Sequence, residues 1–287
     1  MSKSIGSTRG ARSSGGRGAY VYRDYRRNHV IGVGRGPALK EFIAKDYHGL
    51  HHKGVPAKSS NSEDALTWSC FDALSEVGAR HRKTALGNLW ELAYGSADIP
   101  LGVLNGKIEI GKIFPPAELT DSARESTEVD VSIEGEDALV FFEAKLYSPM
   151  SQADGTRKPH DQIARKIRVG VREAQRRSEE SGRPVSFHFI VLDIAPPSAL
   201  RLQRPRVSLA QASAKVSGFG GKWVTAYWFE RYKYGRKGSL TPLKNMLESS
   251  PALVGARAEE VAAHMGWLTW ADVFKAVLRA VMEDRTK

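Results

Sequence analysis

From about residue 60 onward the chain alternates between helical and strand-like hydrophobic patterns. Asn61 or Ser62 suits an N-cap, and Glu63 and Asp64 place acids in the first turn, where the helix dipole favours them. Leu66, Cys70, Phe71, Leu74 and Val77 then recur at helical spacing. A second helix over 82–94 puts Leu86, Leu89, Trp90 and Ala93 on its apolar side, and Gly95 and Pro100 end it. Residues 106–114 read as a strand, and 128–133 and 138–147 as a hairpin around Glu134-Gly135-Glu136-Asp137. A long amphipathic helix over 161–180 follows, with Ile163, Ile167, Val171 and Ala174 as its buried stripe, stopped by Gly182-Arg183-Pro184. The patterns at 185–194 and 222–232 predict two more strands, separated by a Pro/Ser/Gly-rich loop at 196–221. Thr269 is placed to cap a C-terminal helix with Val273, Phe274, Val277, Leu278 and Val281 at helical spacing. Strands alternating with helices around a hairpin predict an α/β fold with a mixed sheet covered on both faces.

Composition sharpens this picture. No stretch approaches the ~20 apolar residues of a membrane span, and the polar, basic N-terminus lacks a signal-peptide core. A single cysteine, Cys70, fits a reducing compartment, so a cytoplasmic location is expected. The net charge of +11 suggests a polyanionic partner. Its distribution limits that argument: residues 1–60 hold 12 Lys+Arg against 3 Asp+Glu, and the remainder is nearly balanced. Residues 1–18 read as a disordered Gly/Ser/Arg tail, serving either phosphate contact or solubility. Residues 19–60 form a Tyr-rich extension, 61–235 the expected core, and 236–287 a helical region packed on it.

The candidate chemistry sits at the end of the apolar run Leu139-Val140-Phe141-Phe142, which closes on Glu143-Ala144-Lys145. Buried charges are costly unless paired or bound to metal. Side chains alternate along a strand, so Glu143 and Lys145 share a face. Asp130, in Glu128-Val129-Asp130, joins them from the other hairpin strand. With a four-residue loop at 134–137, Asp130 lies opposite Phe141 and diagonal to Glu143; with a tight turn at 136–137 it lies opposite Glu143. Two carboxylates with the backbone carbonyl of Ala144 suit Mg²⁺, which keeps most of its waters. Lys145 would orient water or stabilise charge developing on a phosphate.

Asp130 followed by Glu143-Ala144-Lys145 at the end of an apolar strand resembles the PD-(D/E)xK nuclease superfamily, the restriction-endonuclease-like fold. The resemblance covers about residues 60–232, with Val129 where the motif has proline. It implies an α/β/α core with helical N- and C-terminal additions, Mg²⁺ held by Asp130 and Glu143 (with Mn²⁺ substituting), and Lys145 assisting the attacking water. Many members carry a further acid on the leading helix; Glu63 is the candidate here and Glu91 its rival, while Glu128 shares the Asp130 face. Gln162 and Lys166 match the family's auxiliary polar position at the start of the next helix. Arg165, Lys166, Arg168, Arg172 and Arg176 then form a phosphate-tracking face, part of a segment from Arg157 to Arg177 with eight Lys+Arg against two acids. The implied activity is a DNA endonuclease of restriction or defence type, with duplex DNA as substrate, a homodimer as a natural arrangement, and no small-molecule cofactor. Alternatives are a repair or junction-cleaving nuclease, or a non-catalytic nucleic-acid-binding module. Base stacking by Tyr227, Trp228, Phe229 and Tyr232 is less economical than a strand with a core face.

Overall fold

In the computed structural model, residues 62–117, 127–146, 150–153, 160–194, 222–235, 239–253 and 255–285 are described, with isolated positions 22, 24, 28, 44 and 58 before them. The expectations for the basic tail, most of the 19–60 extension and the 196–221 loop lie outside these residues. Ser62 caps α1 (Glu63–Glu76), its Oγ accepting from Ala65 N–H at 3.1 Å. Helices α2 (Ala79–Tyr94) and α3 (Leu101–Asn105) follow. Then come β1 (Lys107–Phe114), β2 (Thr127–Glu134) and β3 (Ala138–Ala144), an antiparallel meander. Helix α4 (Gln162–Ser181) crosses over to β4 (Ser186–Asp193), which runs parallel to β3.

Among the described residues five strands form one sheet in the order β1-β2-β3-β4-β5. Helices α5 (Lys222–Lys233), α6 (Thr241–Glu248) and α7 (Ala258–Ala263) lead to β5 (Met265–Thr269), parallel to β4, and α8 (Trp270–Arg285) closes the chain. Leu139, Phe141, Phe187, Phe189 and Val191 face a core completed by α4 to α7. Ala138, Val140, Phe142, Ile190 and Leu192 face a second core completed by α1, α2 and α8. Strands β3 and β4 are therefore buried on both sides, as their continuous apolar runs require.

Two expectations are corrected. Residues 222–232 form a helix, not a strand: Thr225, Ala226, Trp228, Phe229 and Tyr232 are buried, a period of three to four. Aromatic enrichment suggested β-structure, but tertiary packing overrides that preference. The region after 235 is not only helical either, because β5 extends the sheet. The expected Thr269 cap is present, with Thr269 Oγ1 accepting from Asp272 N–H at 3.1 Å.

Gly170 sets the seat of α4. A Cβ there would fall 2.0 Å from the Phe187 ring, so only glycine allows this approach of helix to sheet. At the starting edge of β4, His188 is buried among Trp90, Tyr94 and His264, with its ring centroid 4.2 Å from that of His264. Burial, and then the charge of His264, push the His188 pKa down from 6.5 to about 3. The unfolded chain therefore binds a proton that the folded chain refuses between those two values. Stability should fall with pH through this window at about 1.4 kcal/mol per pH unit from this one site. Urea titrations from pH 7 to 4 should show that a His188→Phe variant loses this part of the slope; an unchanged slope would refute the assignment.

Candidate active site

Three successive backbone N–H groups leave the end of β3, and each finds a different acceptor. Ala144 donates to Asp130 Oδ2 at 2.8 Å, Lys145 to the Leu192 carbonyl at 2.7 Å, and Leu146 to Glu63 Oε2 at 2.7 Å. Carboxylates from β2 and from the start of α1 are thereby tied to the strand that carries Glu143 and Lys145. Trp270 Nε1 donates to the Lys145 carbonyl at 2.9 Å, tying the same segment to α8. Since Lys145 bonds towards β4, Ala144 turns its N–H and carbonyl towards β2, on the Asp130 side.

Hairpin register follows the tight-turn alternative. Val131 pairs with Phe142 and Glu134 with Leu139, which sets Asp130 across from Glu143. The face of Asp130 is not a matter of simple alternation, however. Val131 and Ile133 pack with α1 and α2, whereas Val129 packs on the α4 side. The sheet face switches between Val129 and Val131, opposite Gly111, whose φ of 63° only glycine adopts without strain. Asp130 lies at this switch and points along the sheet to Ala144.

Glu143 is fully buried, and it meets two ammonium groups. Lys145 Nζ lies 2.7 Å from Oε1, and Lys166 Nζ contacts Oε2. Lys166 also lies 3.4 Å from Asp130 Oδ2. Both Glu143 oxygens are thus met by ammonium groups. Burial works to lower the Lys145 pKa, but Glu143, Glu63 and Asp130 together outweigh it and hold the ammonium charged well above its usual range. Of the three, Glu143 lies in direct contact with the Lys145 ammonium.

The chain matches no protein-family model, no curated protein and no solved structure.

Of the acids weighed for the leading helix, Glu63 reaches this cluster and Glu91 is exposed on α2. Glu128 is half-buried opposite Ile113 on β1. Gln162 starts α4 and serves to seat it: its Oε1 accepts from Ser151 N–H at 3.0 Å and its own N–H donates to the Ser151 carbonyl at 2.9 Å. Asp161 caps the same helix through Ala164 N–H at 2.9 Å and accepts the Tyr232 hydroxyl at 2.6 Å.

The expected phosphate-tracking face is corrected. Lys166 and Arg168 are buried, at 1% and 3% exposure. Arg168 contacts the His160 ring and Ser250. Arg172 pairs with Glu179, and Arg176 with Glu173 and Glu180, so much of their charge is met within α4. Arg165 is half-buried, and Arg157 lies outside the described residues. Helical spacing marks a face, but it does not say whether water or the sheet lies against it.

Asp193 was missed by sequence reasoning. It ends β4 as Glu143 ends the apolar part of β3, is 1% exposed, and accepts from Ile194 N–H at 2.6 Å. The same signal, an acid closing an apolar strand, marks it in the sequence.

Among the described residues no three His, Cys, Asp or Glu side chains have metal-holding spacing. The reason is local: ammonium groups stand between the carboxylates. Glu143 and Asp130 are the oxygen donors that a divalent cation would have to share here, and the Lys166 ammonium stands between them. Lys145→Met should destabilise the fold by about 3–5 kcal/mol, because it removes an ammonium paired with a fully buried carboxylate. Urea denaturation measures this; a change below about 1 kcal/mol would show the cluster to be loosely coupled.

Proposed function

We propose that the chain is a Mg²⁺-dependent endonuclease that hydrolyses phosphodiester bonds in DNA, of restriction or defence type, on a restriction-endonuclease-like fold. The observation that carries this reading is Glu143: a fully buried carboxylate at the end of an internal strand, beside Asp130, its oxygens met by the Lys145 and Lys166 ammonium groups. Open α/β sheets hold ligands at the carboxyl ends of their parallel strands, and this cluster lies at that end of β3. The order of leading helix, hairpin, crossover helix and parallel strand agrees with the fold.

Asp130, Glu143 and the Ala144 carbonyl would hold the metal, with Glu63 one segment away at Leu146. Mg²⁺ bound there supplies Lewis acidity and a more acidic water; Mn²⁺ is expected to replace it. The chain's own contribution is electrostatic. The surrounding carboxylates favour the charged form of Lys145, so it would donate a hydrogen bond and stabilise negative charge on the phosphate. Asp130, fixed by Ala144 N–H, keeps one carboxylate oriented without help from the substrate.

A second reading is a non-catalytic nucleic-acid-binding module. It is favoured by the backbone hydrogen bonds that Asp130 and Glu63 accept, since these give both acids a structural task. Repair or junction cleavage is the alternative role for an active enzyme. The assay that separates these uses supercoiled plasmid, branched junctions and single strands with Mg²⁺, Mn²⁺ or EDTA. Asp130→Asn and Lys145→Met should each lower metal-dependent cleavage at least about 100-fold while DNA binding persists, a loss in the range for removing one electrostatic stabiliser. Cleavage surviving in both variants, or no cleavage of any substrate by wild type, overturns the proposal.

A further inference from the structure

Lys166 is the one residue of the charge cluster supplied by the crossover helix, and its surroundings suit a cation of a different kind. Its ammonium contacts Glu143 Oε2 and lies 3.4 Å from Asp130 Oδ2, so it bridges the two carboxylates proposed to hold the metal. Lys145 takes the other Glu143 oxygen. The two lysines therefore do different things: one sits at the strand end with its own acid, the other occupies the bridging position.

The bridging position of Lys166 is where a metal shared by Glu143 and Asp130 would have to sit. The bridging space also matters: Mg²⁺ requires oxygen ligands at about 2.0–2.1 Å, and an ammonium between those oxygens excludes it. Lysine is suited to such movement, carrying a point charge on a flexible four-carbon stem.

We propose that Lys166 is a resident counter-cation for Glu143 and Asp130, and that divalent metal binds by displacing its ammonium from between them. This rests on the metal-site reading above. Lys166 is thus a positioning residue that keeps the metal-free cluster ordered and sets the threshold for loading. Such a device makes metal occupancy depend on whether the displaced ammonium finds another anion, and a phosphodiester backbone at the same strand ends would provide one. Loading and substrate binding would then favour each other.

Calorimetry with Mn²⁺ and with Mg²⁺, in the absence of DNA, tests this on the full chain. Lys166→Met, which keeps the stem and removes the charge, should bind metal at least about tenfold more tightly than wild type. Its metal-free melting temperature should fall and should be restored by Mn²⁺ more than that of wild type. Should the variant not fold, wild type alone decides: acetylation followed by mass spectrometry should find Lys166 protected without metal and reactive at saturating Mn²⁺. Metal bound by wild type with Lys166 still protected, or bound no more tightly by Lys166→Met, overturns the exchange while leaving the metal site standing. Absence of metal binding by both proteins overturns both.

Discussion

A carboxylate with no exposure, held between two ammonium groups at the end of an internal strand, is the constraint on which much of this structure depends. Each ion costs several kcal/mol to remove from water, and only close partners offset that. Glu143 obtains one partner from its own strand and the other from α4. The crossover helix must therefore be fixed in position, not merely packed. Asp161, the Tyr232 hydroxyl and the Gln162–Ser151 pair fix its start, and so α5, far along the sequence, helps to place Lys166.

The two ends of β4 are treated in opposite ways. Where it begins, His188 is buried neutral among aromatic rings. Where β3 and β4 end, Glu143, Lys145 and Asp193 are buried with their charge-bearing groups. The apolar layers on the two sheet faces thus run into a polar rim. The β3 ladder gives way there to carboxylate acceptors, as Asp130 and Glu63 take N–H groups that strand partners would otherwise take.

Much of this was legible in the sequence, for physical reasons. The apolar run ending in Glu143 and Lys145 identified a buried strand end, and its hydrophobic pattern limited the hairpin to two registers, of which the structure adopts the tighter. Neighbourhood was right for Asp130, but the argument from alternation was incomplete, because the face switch opposite Gly111 reorients the strand at that residue. Lys166 was recognised as polar and near the motif, yet its burial depends on partners from two strands, and no helical periodicity encodes them. Strand β5 is only five residues long and follows directly on α7, so its apolar run read as part of a helical region. The aromatic segment 222–233 misled in the opposite direction, as its residues fill a core from a helix.

Gly170 lies one turn beyond Lys166 on α4, and nothing but its hydrogen atoms separates the helix backbone from the Phe187 ring. Its effect reaches along the helix. The depth at which α4 rests on the sheet decides how far the Lys166 stem must extend to meet Glu143, and that depth is set by a residue with no side chain. The spacing of the charge cluster can therefore be retuned from a position that touches none of its charges, so variation at this glycine would be felt first as altered reach.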